Sequence, residues 1–184
     1  MRSPHRQFRI ALTGLFAALA FVLGRMPHPP GVECVTFAVF VAGYVGGAFV
    51  GGVSGAILAI LQITFGGGAN PLLATAQLIG FSTVGAAGHF VGRRRLLPGA
   101  MGLLGAALTA WYQLLVNLSL IPGSGLPAWE IFAAGAGFAV AHILCNAVVF
   151  EVGRFLLLTL ERHPAFIAYR KSCMLPDGTD LKPV

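Results

Sequence analysis

Residues 34–66 read CVTFAVFVAGYVGGAFVGGVSGAILAILQITFG, with no Asp, Glu, Lys or Arg among them. A bilayer crossing takes about 20 apolar residues, so this run is far too long for one span. Glycine pairs at Gly46-Gly47 and Gly51-Gly52 mark where it divides. Two short membrane helices meeting at a glycine-rich turn are therefore expected, near 34–49 and 52–66. Strands of a membrane barrel would alternate polar and apolar side chains over about ten residues, and this run does not.

Working outward, similar runs occupy 9–24, 72–92, 99–120 and 130–156. The expectation is an all-α integral membrane protein with six transmembrane helices. Composition agrees, because 57% of the residues are hydrophobic and only 10% are charged. A soluble domain could not cover its surface with so few charges. One membrane domain spans 9–160, between a cytoplasmic N-terminus at 1–8 and a cytoplasmic C-terminal tail at 161–184. The last 11 residues, MLPDGTDLKPV, read as disordered. The first run follows Arg2, Arg6 and Arg9, which is also the layout of a signal peptide. Five more spans follow it, so it is expected to be retained as the first helix.

Charge orients the chain. With both termini inside, the inner segments hold Arg2, Arg6, Arg9, Arg93, Arg94, Arg95, Arg154, Arg162, Arg170, Lys171 and Lys182, and the outer loops hold only Arg25. That is the asymmetry of the positive-inside rule. The net charge of +6 is thereby explained by orientation and contact with anionic membrane lipid. Nucleic acid is not needed to explain it. The three cysteines, Cys34, Cys145 and Cys173, form no paired motif, so no disulfide framework is expected.

Polar residues are costly in lipid, so their positions carry information. The first outer loop, RMPHPPGVE, brings His28, Pro29, Pro30, Gly31 and Glu33. The second brings Asn70, and the third brings Trp129 and Glu130. Gln62, Gln77 and Asn117 lie just inside the outer surface. Tyr112, Gln113 and His142 lie nearer the middle, with Asn146 one turn deeper. Gln113 and Asn117 share a helix face by their spacing of four, and so do His142 and Asn146. With Gln77 opposite, these faces outline a small-molecule pocket open to the outside. The candidate substrate-binding residues are thus Glu33, Gln62, Asn70, Gln77, Tyr112, Gln113, Asn117, Trp129, His142 and Asn146.

A plainer reading stands beside this one. Asn and Gln in membrane helices often only tie one helix to another, and Trp129 suits an interfacial anchor. Glu33 and Glu130 suit solvated loop acids. One histidine does not make a metal site. No HExxH, GxSxG or Walker A motif occurs. No catalytic residue, metal or cofactor is expected, and any ATPase must be another chain. Glu151 and Arg154, three apart, are expected to pair at the inner surface.

Small residues recur at helical spacing. Gly43, Gly47, Gly51 and Gly55 form a ladder, and Gly80, Gly85 and Gly88 extend the theme. Such residues let membrane helices approach closely. In the first helix, Ala11, Gly14, Ala17 and Ala18 leave one side almost bare. That side is a candidate docking face for a partner subunit.

These features together resemble the substrate-binding S component of an energy-coupling factor (ECF) vitamin transporter. The resemblance rests on IALTGLFAALAFVLG, MPHPPGVE, FVAGYVGGAFVGGVSGAIL and NPLLATAQLIGFSTVGAAG, and it covers roughly residues 8–160. It implies a six-helix subunit in a prokaryotic cell membrane that captures a vitamin-like small molecule from outside. It further implies a transmembrane coupling subunit and two ATPase subunits as partners. The family's Ala-x-x-x-Ala coupling pattern in the first helix appears here as Gly14 to Ala18, with Gly in place of the first Ala. The first outer loop commonly gates the family's site, which makes Pro29, Pro30 and Gly31 gate candidates. Metal-binding relatives begin Met-His, whereas this chain begins Met1-Arg2, which disfavours metal transport.

Two other classes stand against this. One is a self-sufficient small permease or channel. The other, ranked last, is a small membrane enzyme using His142, His89 or Glu33 as acid–base groups. Trp111, Tyr112 and Trp129 suit stacking on a flat ring. The scarcity of outer basic residues disfavours a strongly anionic solute.

Overall fold

The computed structural model describes residues 4–173 apart from 28, 30, 67–69 and 93–96. The basic triplet Arg93–Arg95 and the C-terminal segment MLPDGTDLKPV lie outside the described residues. The described residues form seven helices and no strand. They are α1 (Pro4–Arg25), α2 (Val35–Gly46), α3 (Ala48–Gly66), α4 (Pro71–Val91), α5 (Ala100–Ser124), α6 (Ala128–Arg162) and α7 (Pro164–Cys173).

Five of these, α1 and α3 to α6, are long and apolar enough to cross a membrane. The expected span 34–49 is instead a helix of 12 residues. At 1.5 Å per residue it is about 18 Å long, well short of the roughly 30 Å hydrocarbon core. Gly47 stops it. Its φ of +89° is left-handed, a conformation that glycine adopts without penalty. α3 restarts at once at Ala48, four residues before the expected boundary, so Gly51 and Gly52 are helical.

Those glycines serve packing. Gly43 on α2, Gly51 on α3 and Gly85 on α4 meet at one point. A Cβ on Gly43 would collide with the Gly85 carbonyl, and Cβ atoms on Gly51 and Gly85 would each strike the other's backbone. α2, α3 and α4 can pack this closely only because no side chains intervene. α1 lies against α2 and α3, where the Ser54 hydroxyl donates to the Thr13 carbonyl at 3.1 Å.

α5 and α6 pair with each other as a hairpin. It meets the α1–α4 body chiefly where α5 crosses α4, and more lightly where α6 meets α2. Phe150 of α6 stacks on α2, with its ring 5.0 Å from Phe40 and 5.2 Å from Phe37. Leu103, Leu144, Val148, Val152 and Phe155 all face outward, an apolar exterior suited to lipid.

α6 outruns its expected end at 156 and continues to Arg162. Glu151 and Arg154 do pair, at 2.7 Å, yet they do not end the helix. Leu157, one turn on, is buried. The segment assigned to the tail also carries a helix, α7, begun by Pro164. It folds back onto the bundle. Tyr44 of α2 donates to Glu161 at 2.5 Å, and Arg170 of α7 bonds the same carboxylate oxygen at 3.1 Å.

Candidate functional site

Because α2 is short, its N-terminus does not reach the Ala128 end of the bundle. Its other end is tied by Tyr44 to Glu161 near the close of α6. Its start therefore sits beside the middle of α6. The α1–α2 loop dips into the seam between the α1–α4 body and the α5–α6 hairpin. Past that point α6 runs on for about four turns, or about 21 Å.

The loop backbone lies on α6. The Val32 N–H donates to the Pro29 carbonyl at 3.0 Å, closing a turn around Gly31. Gly31 is buried with φ +79°. A Cβ there would stand 3.1 Å from the His142 amide nitrogen and 3.2 Å from the Ala141 Cβ. A larger residue would be strained twice, by the backbone angle and by the close approach.

Glu33 follows, and its carboxylate enters the seam. Its Oε1 accepts the Thr36 hydroxyl at 2.9 Å and lies 2.9 Å from His142 Nε2. On the other side of the ring, His142 Nδ1 is 2.6 Å from Gln113 Nε2. An amide nitrogen only donates. With the amide oriented this way, Nδ1 accepts and the ring proton sits on Nε2, donated to Glu33. One chain of hydrogen bonds thus joins the loop, α6 and α5. His142 and Gln113 are both buried, and Glu33 is partly so.

Aromatic rings flank this chain. Phe138 is 5.5 Å from the imidazole, and Tyr112 stands edge-on to it at 6.4 Å. Phe81 packs on Tyr112 at 4.7 Å, and the Gln77 amide lies beside the Tyr112 hydroxyl. One turn past His142, Asn146 is 0% exposed, and among the described residues neither its Oδ1 nor its Nδ2 has a hydrogen-bond partner. Leaving such atoms unpaired costs about 1–3 kcal/mol each.

Six of the ten sequence-expected binding residues therefore gather here: Glu33, Gln77, Tyr112, Gln113, His142 and Asn146. Asn117 lies one turn from Gln113 toward the Ala128 end, with its amide against Gly135. Three others are placed elsewhere. Asn70 caps α4, its Oδ1 accepting the Leu72 and Leu73 amides at 3.0 and 3.3 Å. Gln62 lies by Gly24 near the end of α1. Trp129 is 69% exposed on the first turn of α6, and Trp111 also points outward. Of the gate candidates, Pro29 and Gly31 form the turn, and Pro30 lies outside the described residues. Glu33 differs most from the solvated loop acid of the plainer reading, because the short α2 draws it inward.

Sequence reasoning missed Thr36, Phe138 and Phe81. Thr36 had a signal, its spacing of three from Glu33. The two phenylalanines had none among the 14 in the chain. On α1, Ala11, Gly14 and Ala18 do share an exposed side, together with Leu15 at 64%. Ala17 does not belong to it. At 1% exposure it turns inward with Thr13 and Ala20, because one α1 face must cover α2 and α3.

Among the described residues no three His, Cys, Asp or Glu side chains converge as a metal site would need. Comparison of the chain with protein-family models, with curated proteins and with solved structures finds no match.

Proposed function

We propose that this chain is the substrate-capture subunit of an ECF-type transporter, with six membrane segments, cytoplasmic termini and a site at the seam. It takes a vitamin-like small molecule from outside the cell and passes it to a coupling subunit driven by two ATPases. One observation carries the reading. The loop that follows α1 is latched to both hairpin helices through Glu33, His142 and Gln113, directly above the unpartnered Asn146. A loop held by a few polar bonds can open and reclose, whereas one held by a large apolar surface cannot.

The ring faces of Tyr112 and Phe138 suit a flat solute, and Asn146 offers it one donor and one acceptor. The face of Ala11, Gly14 and Ala18 offers a partner helix close approach. The test is uptake into cells expressing the chain with its genomic neighbours. Uptake should require both this chain and a competent ATPase. Uptake by this chain alone in liposomes would favour a self-sufficient permease.

A further inference from the structure

A second site lies at the opposite, basic end of the bundle. A cavity of about 250 Å³ opens there between α1, the α2–α3 turn, α4 and α7. Its walls include Arg9, Gly47, Ala48, Phe49, His89 and Tyr169. We propose that this cavity binds a phosphate group, carried on the headgroup of an anionic lipid.

Three observations lead to that ligand. The first is size. A liquid water occupies about 30 Å³, so the space suits a group of several heavy atoms better than one solvent molecule. The second is charge. The Arg9 guanidinium carbon lies 5.2 Å from the centroid of the Phe49 ring, which holds the group at the cavity wall. Among the described residues it has no acidic partner. The acids at this end among the described residues, Glu151 and Glu161, are occupied by Arg154 and Arg170. A held guanidinium presents paired N–H donors that match phosphate oxygens.

The third is what surrounds the mouth. Phe8, whose ring lies 5.3 Å from that of Tyr169, and Phe49 beside Arg9 are exposed apolar side chains there. A free phosphate gains nothing from them, whereas acyl chains beneath a bound headgroup would lie along them. The glycine backbone at Gly46-Gly47 leaves room for the group to approach. Nothing in this argument depends on the Glu33–His142 seam, so either site can fail without the other.

The test is native mass spectrometry of the detergent-purified chain with phosphatidylglycerol, phosphatidylcholine or inorganic phosphate. The expected result is a phosphatidylglycerol adduct that survives activation stripping phosphatidylcholine. Arg9→Gln should lower its occupancy by about tenfold, the scale of one charge-assisted contact. Phe49→Leu, which leaves the charge but removes the ring it rests on, should lower it by less. Arg25→Gln at the far end should leave it unchanged. An Arg9-dependent adduct of inorganic phosphate, with no lipid preference, would overturn the lipid headgroup as the source. Equal retention of both lipids, or an adduct indifferent to Arg9 and Phe49, would overturn the site.

Discussion

Glu33 Oε1 and His142 Nε2 lie 2.9 Å apart across 109 positions of sequence. That contact holds the α1–α2 loop against α6 in the middle of the bundle. Removing the carboxylate by Glu33→Ala should loosen the loop, because it takes away the bond that ties Glu33 to His142 on α6. Maleimide labelling of Cys145, one turn from His142, reports this in a chain with Cys34 and Cys173 changed to Ser. Labelling should speed up severalfold in Glu33→Ala and only slightly in Glu33→Gln, which keeps an acceptor oxygen. Equal rates in all three chains would mean that the contact does not hold the loop.

Asn146 separates a binding role from a packing role. Asn146→Leu replaces two unpartnered polar atoms with an apolar group of similar size. If the side chain only fills space, the change should be neutral or stabilising, by about 1–3 kcal/mol. The capture reading predicts that outcome for the ligand-free melting temperature, together with loss of ligand binding. Retained binding would remove Asn146 from the site.

The glycine junction predicts a contrast between two substitutions of the same kind. Gly85→Leu places a side chain where the Gly51 backbone now lies. It should cost at least the about 1–3 kcal/mol typical of overpacking, and it should prevent folding if the helices cannot part. A Cβ on Gly14 would meet nothing within 4 Å, so Gly14→Leu should not lower the melting temperature. Gly14→Leu should also leave ligand binding intact and abolish coupled uptake, since it roughens the proposed docking face. Uptake that survives both Gly14→Leu and Ala18→Leu would discard that face.

At the other end, one carboxylate holds α2, α6 and α7 together. Glu161→Gln weakens its bonds to both Tyr44 and Arg170. Proteolysis after Arg162 or Arg170 should then accelerate, with little change at the seam. Unchanged cleavage would show that buried Phe166, not the polar cluster, keeps α7 docked.

The membrane class was plain in residues 34–66, because a long uncharged run has few other uses. The glycine ladder was equally plain as a device for close packing. What pattern could not show was which glycine breaks the helix. Gly47 differs from Gly43 and Gly51 by its backbone angle, and all three look alike on paper. The depth of Glu33 was hidden for the same reason. It depends on α2 stopping at Gly46 and on Tyr44 being tied to Glu161, a partner 117 positions away. Gln113, His142 and Asn146 were legible because helical spacing put them on inward faces. Asn70 was ambiguous, since an Asn before Pro71 reads equally well as a ligand group or a helix cap, and here it caps.

The central claim is that the seam beneath the Glu33–His142 latch holds a small molecule. Protein extracted directly from its native membrane and analysed by mass spectrometry tests this. The account predicts one ring-containing compound at near-equal stoichiometry in the native chain, and its loss in Asn146→Leu with the fold intact. A native chain that carries no such compound, or one carried equally well by Asn146→Leu, would contradict it.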